Sequence, residues 1–383
     1  MSWRCLIWVQ SLLGSGHLRR AMLLADALAA RGVEVVLANG GPPGPWPSAE
    51  GVSLVQLPVL VAKDTSFSGL VDGTGRSPDD ALWAERRRIL LDLLAGEPHA
   101  IVTEMFPFGR RVFRAELAPL LAWRDARSPR PVLAASMRDI LVTKPEPDRY
   151  RWMVETCLAH YDRVLVHGEE RLMPFAASFP AAAELGARVV HTGFVHVGAA
   201  ATRSGDTPAV LVSAGGGAVG ERLLLAALDA RPLTRFAQGP WLLVGGHNLP
   251  PDRLAALRSH LPAGCTLEQH RPDLAALMGR CAVSISQAGY NTVVEGLAAG
   301  ARMVLVPFAA GAEDEQEQRA RRLVALGLAE RVAEAKVDGP SLAAAVDRIG
   351  ARPRPDASAW SFDGAGRSAR LITDWVQERF DER

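Results

Sequence analysis

The chain is predicted to be α/β, built as two doubly wound halves that face one another across a cleft, and three observations predict this. Two glycine-rich turns, Gly14-Ser15-Gly16-His17 and Gly215-Gly216-Gly217, stand one in each half of the sequence. Each follows an apolar run of strand character and opens an apolar run of helical period. Short apolar strands alternate with helices throughout, the pattern of a parallel sheet covered on both faces. The length of 383 residues exceeds a comfortable single core and fits two domains of ordinary size.

In the first half the expected strands are Cys5–Val9, Val33–Ala38, Val52–Leu57, Ala100–Thr103, Val132–Ser136, Arg163–His167 and Arg188–Thr192. Between the first two, Leu18, Ala21, Met22, Ala25, Leu28 and Ala29 form the apolar stripe of a helix over Leu18–Arg31, which Gly32 stops. The stretches Gly40–Pro47 and Lys63–Pro78 are rich in Gly, Pro, Ser and Asp and read as surface loops. The alternation restarts with Ala209–Ser213, Trp241–Val244, Thr266–Gln269, Ala282–Ser286, Met303–Val306 and Leu328–Val332. A last amphipathic stretch covers Ala365–Phe380. The domains are expected at 1–197 (acceptor side) and 209–355 (nucleotide side), joined by a small, polar linker at 198–208. Residues 356–383 are read as a C-terminal helix, with packing back on the first domain as one option.

Composition narrows the function. Apolar residues make up 48% and charged residues 22%, values of an ordinary globular chain, and the net charge is +1. No overall field favours nucleic acid or a membrane surface. Cys5, Cys157, Cys265 and Cys281 are scattered, so neither a disulfide framework nor a structural zinc is expected, and a cytoplasmic setting fits best. Met1–Leu13 is apolar but short and runs straight into the glycine turn, so it reads as a buried strand and not as a leader.

Four segments carry chemistry. In Gly14–Arg20, the glycines let the chain turn sharply, His17 stands at a helix start and Arg20 follows one turn later on the same face. A histidine there can take a proton from a hydroxyl or from water, and the positive end of the helix dipole should keep it neutral. The triple glycine Gly215–Gly217 before a helix is a candidate phosphate cradle, although a tight structural turn explains it equally well. It is neither a Walker loop nor a full dinucleotide fingerprint. In Ser284–Pro307, a strand enters Gln287-Ala288-Gly289 and then a helix carrying Asn291, Thr292 and Glu295. Thr292 and the helix-start N–H groups suit a phosphate, and Glu295, three residues on, suits a pair of ribose hydroxyls. In Ala312–Leu323, Glu315 and Gln316 are candidates for sugar hydroxyls, against a plain reading as a solvated helix start. The aromatic and basic run Phe106–Arg111 is weighed as a peripheral membrane contact, and a packed turn is favoured.

Together these segments resemble the glycosyltransferase family 28-like members of the GT-B fold, the relatives of the lipid II N-acetylglucosaminyltransferase. The resemblance rests on a G-x-G-H turn, a central G-G-G turn, and S-x-A-G-Y-N-T-x-x-E followed by a Pro-ended strand and an E-Q-x-x-R-A helix. Within that group the chain looks closest to predicted bacterial glycosyltransferases that also carry S-x-R-D-I-L, here Ser136–Leu141, and L-V-H-G, here Leu165–Gly168.

The resemblance implies two facing Rossmann-like domains. It implies His17 as base, with Gly14, Gly16 and Arg20 around it. Gly215, Gly216 and Gly217 would lie on the diphosphate side. Gln287, Gly289, Asn291 and Thr292 would stand at a phosphate-facing helix start, with Glu295 on the ribose and Glu315 and Gln316 at the donor sugar. Glu317 stands where the lipid-linked enzyme has a second glutamine, so identity of donor sugar does not follow.

The expected function is transfer of a sugar from a nucleotide-sugar, a UDP-sugar, to an acceptor hydroxyl. Inversion is expected, without a cofactor or metal since no D-x-D motif occurs. The acceptor is unknown. The alternatives are a nucleotide-sugar hydrolase of the same architecture, sharing G-x-G-H-x-x-R, and a non-catalytic nucleotide-sugar-binding protein.

Overall fold

The computed structural model describes residues 2–64, 67–141, 147–196, 198, 207–215, 220–246, 249–308 and 314–381. The chain divides into two units, one formed by Met1–Val195 with Ser361–Arg383 and the other by His196–Trp360. Of the stretch read as a linker, 199–206 lie outside the described residues.

The first unit contains β1 (Arg4–Val9), β2 (Glu34–Asn39), β3 (Val52–Gln56), β4 (Leu60–Ala62), β5 (Leu70–Asp72), β6 (Ala100–Glu104), β7 (Val132–Arg138), β8 (Arg163–His167) and β9 (Val189–His191). Seven of these form one parallel sheet in the order β3-β2-β1-β6-β7-β8-β9. Successive strand residues face opposite ways. Leu6, Trp8, Ile101 and Leu133 therefore enter one core, while Cys5, Ile7, Val9, Val102 and Ala134 enter another on the opposite face. This double burial is why these strands read as unbroken apolar runs rather than as alternating ones.

One local expectation changes, and of the two readings of Phe106–Arg111 the favoured packed turn is the one found. Lys63–Pro78, read as a loop, contains β5, which pairs antiparallel with β4. The aromatics of Phe106–Arg111 are core, not surface: Phe106 and Phe108 are fully buried, and Phe108 packs edge-on against Phe175 and Phe179. The segment weighed as a membrane contact therefore has its apolar side chains committed inside the unit. Among the described residues no helix is long and apolar enough to cross a membrane.

The helix Gly364–Asp381 completes the first unit. Ala369, Ile372 and Val376 join the same core as Leu18, Leu24, Ala25 and Leu28 of helix Gly16–Ala29. Gly193 makes the return possible. At φ +82° a side chain is strained, and a Cβ would lie 2.7 Å from Ser361 Oγ. The Phe194 N–H then donates to the Ser361 carbonyl at 2.8 Å, and the Gly364 N–H donates to the Phe194 carbonyl at 2.9 Å.

The second unit contains β10 (Val210–Ser213), β11 (Trp241–Val244), β12 (Cys265–Glu268), β13 (Val283–Ser286), β14 (Met303–Leu305) and β15 (Ala329–Arg331). They form a parallel sheet in the order β12-β11-β10-β13-β14-β15. In each sheet the winding reverses once, between β1 and β6 and between β10 and β13. Open α/β sheets bind ligands outside the carboxyl ends of strands at such reversals.

Candidate functional site

Both reversals carry residues singled out above. In the first unit, β1 ends at Val9 and the chain turns through Gly14, whose φ of +65° is left-handed. The Leu18 N–H donates to Ser11 Oγ at 3.2 Å, satisfying one of the free amides at the helix start. His17 thus occupies the first turn of the helix and reaches the last residue of the neighbouring β6. Its Nδ1 lies 3.0 Å from Glu104 Oε1. Arg20, one turn on and buried, donates to the same oxygen, and its Nη2 stands 3.1 Å from His17 Nδ1. Glu104 is 1% exposed.

The electrostatics assign the protons. Burial alone would raise the Glu104 carboxyl. The Arg20 guanidinium, the bond and charge of His17, and the Ser136 hydroxyl outweigh it and hold the group below the usual carboxylate range. An ionised carboxylate only accepts, so His17 Nδ1 carries the hydrogen and Nε2 keeps the lone pair. His17 itself is lowered to about 3, first by burial, then by the charge of Arg110, with Arg138 and Arg20 adding to it and Glu104 opposing. The contact is therefore a hydrogen bond from neutral imidazole to carboxylate rather than a salt bridge. Neutrality comes chiefly from burial and three arginines, where the sequence pointed to the helix dipole. Arg110 is held at φ +61°, which costs a non-glycine residue about 1 kcal/mol, and its Nε donates to the Gln10 carbonyl at 2.8 Å.

In the second unit, β10 and β13 end side by side, with Ser213 paired to Ser286. Gly215, at φ +69°, follows β10; a Cβ there would lie 3.1 Å from Gln287 Oε1. Gly216 and Gly217 lie outside the described residues. Gly220 lets the next helix approach closely, since a Cβ would meet that of Ala214 at 2.1 Å. After β13, the helix Tyr290–Ala298 starts at Gly289, where a Cβ would meet open space. Asn291 is exposed and Thr292 half-buried in its first turn. Glu295, one turn further, is half-buried, and burial raises its carboxyl. Ser284 and Ser286 hydroxyls are buried without a hydrogen bond among the described residues.

Glu315 and Gln316 also have partners within the second unit. Gln316 Oε1 accepts from the backbone N–H of Ala288 at 3.0 Å and of Phe308 at 3.1 Å. Glu315 accepts from Arg319 Nη2 at 2.7 Å, and Arg319 Nη1 donates to the Ala288 carbonyl at 2.7 Å. Both oxygens are thereby committed to bracing the turn before helix Tyr290–Ala298, from elements far apart in sequence. Glu104 was missed in the sequence. The available signal was an acid closing an apolar run at the carboxyl end of a strand. Among the described residues no group of three or more His, Cys, Asp and Glu side chains is arranged to hold a metal ion.

Comparison with known proteins gives the following. Residues 265–359 match the glycosyltransferase family 28 C-terminal domain. The UDP-N-acetylglucosamine--N-acetylmuramyl-(pentapeptide) pyrophosphoryl-undecaprenol N-acetylglucosamine transferase of Lactiplantibacillus plantarum is 30% identical over 145 residues, a match spanning 38% of this chain and 40% of that protein. Among solved structures, MurG of Acinetobacter baumannii aligns over 97% of this chain and 99% of its own at TM-score 0.60 and 16% identity. Os79 of O. sativa in complex with UDP aligns over 98% and 100% at TM-score 0.64 and 16% identity. The calicheamicin glycosyltransferase CalG4 aligns over 99% and 95% at TM-score 0.61 and 18% identity.

Proposed function

We propose that this chain, whose residues 265–359 match the glycosyltransferase family 28 C-terminal domain, is a family-28-like glycosyltransferase of GT-B fold. From that premise we propose that it moves a sugar from a UDP-sugar to an acceptor hydroxyl, with inversion and without a metal ion. One observation carries the reading: a part-buried, neutral imidazole at a strand-end reversal, its Nδ1–H held by Glu104 and its Nε2 left to accept a proton.

His17 Nε2 removes the acceptor proton. The freed oxygen forms a bond to the anomeric carbon as the bond from that carbon to the diphosphate breaks, and the electron pair leaves on the diphosphate oxygen. Glu104 holds the tautomer and steadies the imidazolium that forms. A base lowered to about 3 in the empty protein is weak. Any negative charge that a substrate brings beside Arg20, Arg110 and Arg138 would offset theirs and raise the proton affinity of the imidazole. In the second unit, Gly289, Asn291 and Thr292 offer a helix start for phosphate, Gly215 a left-handed turn after the neighbouring strand, and Glu295 a carboxylate for the ribose. Helix starts and backbone N–H groups take the role a metal would have in stabilising the leaving group. Glu315 and Gln316 act by bracing this site. The UDP relationship draws support from the names of the matched proteins.

The test is incubation with a panel of UDP-sugars, with and without hydroxyl acceptors, in the presence of a chelator. Transfer that survives chelation and yields a product of opposite anomeric configuration supports the proposal. Release of free sugar at equal rate without any acceptor would make the protein a hydrolase instead.

A further inference from the structure

The strand ends next to Glu104 carry three more polar side chains that no step above uses. Ser136 (β7) pairs with Glu104 across the sheet, His167 closes β8, and Thr192 follows β9. They are 2%, 0% and 0% exposed. Ser136 Oγ contacts Glu104 Oε2 and lies 2.9 Å from His167 Nε2, and His167 Nδ1 lies 2.9 Å from Thr192 Oγ1. Burying such groups costs free energy that an apolar trio would not. Ser136 and His167 also belong to the two sequence motifs, Ser136–Leu141 and Leu165–Gly168, that the proposed function leaves without a role.

The directions of these bonds follow from one another. Glu104 only accepts, so the single Ser136 hydrogen points at it. Ser136 Oγ must then accept from His167, so Nε2 of that ring carries the hydrogen. Burial lowers His167 to about 3, so the ring is neutral and Nδ1 holds a lone pair. Thr192 must therefore donate to Nδ1, in preference to the Gly193 carbonyl at 3.1 Å and the Val166 carbonyl at 3.4 Å.

We infer that Ser136 and His167 are positioning residues for the base: a one-way chain of hydrogen bonds, Thr192 to His167 to Ser136 to Glu104, holds the carboxylate in the one orientation that keeps His17 as the Nδ1–H tautomer. The groups facing His17 and Glu104 are Arg20 from the same helix, Arg110 from the segment after β6, Arg138 from β7 and His167 from β8. Arg20 Nη2, 3.1 Å from His17 Nδ1, can only donate and so competes with Glu104 for that nitrogen, which leaves the tautomer to depend on how the carboxylate is held.

This inference deepens the assignment of His17 as base but can fail separately, because its main readout needs no turnover. Nitrogen-15 NMR of the intact wild-type protein should find His17 protonated at Nδ1 and His167 at Nε2. The opposite tautomer at either ring overturns the chain. In Ser136→Ala and His167→Leu, His17 should populate both tautomers, and turnover should fall about tenfold while KM for the nucleotide-sugar stays unchanged, the loss expected of a hydrogen bond to a charged group. Ser136→Thr and His167→Gln keep the donor pattern and should restore both readouts. Variants that lose only melting temperature, with the His17 tautomer and turnover as in wild type, would make the chain merely structural. Unchanged turnover in His17→Ala would instead remove the base assignment and leave the tautomer result standing.

Discussion

The two strand-end reversals solve opposite problems with similar backbone. At the first, His17 and Arg20 both bond one oxygen of Glu104, and the imidazole is oriented before any ligand arrives. At the second, Glu295 is half-buried with its carboxyl raised by burial, and the Ser284 and Ser286 hydroxyls are buried without a bond among the described residues. A site for proton transfer gains from being complete in advance, since reorganisation at the moment of reaction is avoided. A site for a nucleotide gains from polar groups left unsatisfied, because the ligand supplies their missing bonds.

That contrast can be broken by experiment. Removing the imidazole in His17→Ala should lower kcat by roughly 10²–10⁴-fold, the usual worth of general base catalysis, and leave the dissociation constant of the nucleotide-sugar unchanged by calorimetry. A change in donor affinity of similar size would merge the two sites into one. Next in size, His17 and His167 both sit below the ordinary 6.5 in the folded chain. The unfolded chain therefore takes up protons first, and stability is fully present above about pH 6.5 and falls as the pH drops towards 3. Each contributes a slope of up to about 1.4 kcal/mol per pH unit. Urea unfolding at pH 7 and pH 5 should resolve it, and equal stability at the two values would deny that these rings are neutral.

The second site should respond in the reverse sense. Glu295→Gln should weaken UDP-sugar binding about tenfold, as one charge-assisted bond is lost. It should also leave the melting temperature unchanged or raise it, because a carboxylate that burial disfavours is gone. A fall in melting temperature would mean that Glu295 already has a structural partner. The smallest effect is expected from Gly215→Ala, about 1 kcal/mol of stability from forcing φ +69° on a residue with a Cβ. Donor binding should suffer with it, since the new methyl presses on Gln287.

Strand positions were legible because β1, β6–β8, β10, β11, β13 and β14 are buried on both faces and so form continuous apolar runs. The hairpin β4–β5 was not, since three-residue strands set among Gly, Ser and Asp carry no period to read. That His17 and Glu295 stand on helices opened by glycine turns was legible from the residues beside them. Glu104 was not, because its meaning lies in a partner 87 residues away. Glu315 and Gln316 were read by type as sugar ligands, yet their bonds to Arg319, Ala288 and Phe308 depend on tertiary placement that no local pattern encodes.

The return of helix Gly364–Asp381 to the first unit bears on the order of events during synthesis. Domains ordinarily form in the order they leave the ribosome. Here the unit begun earlier needs a helix made after the other unit to close its core, whereas His196–Trp360 is a single uninterrupted stretch. The later-made unit can thus mature while the earlier one still waits with an uncovered apolar face. Translation arrested with that helix inside the exit tunnel should leave nascent chains whose second unit resists protease and whose first does not.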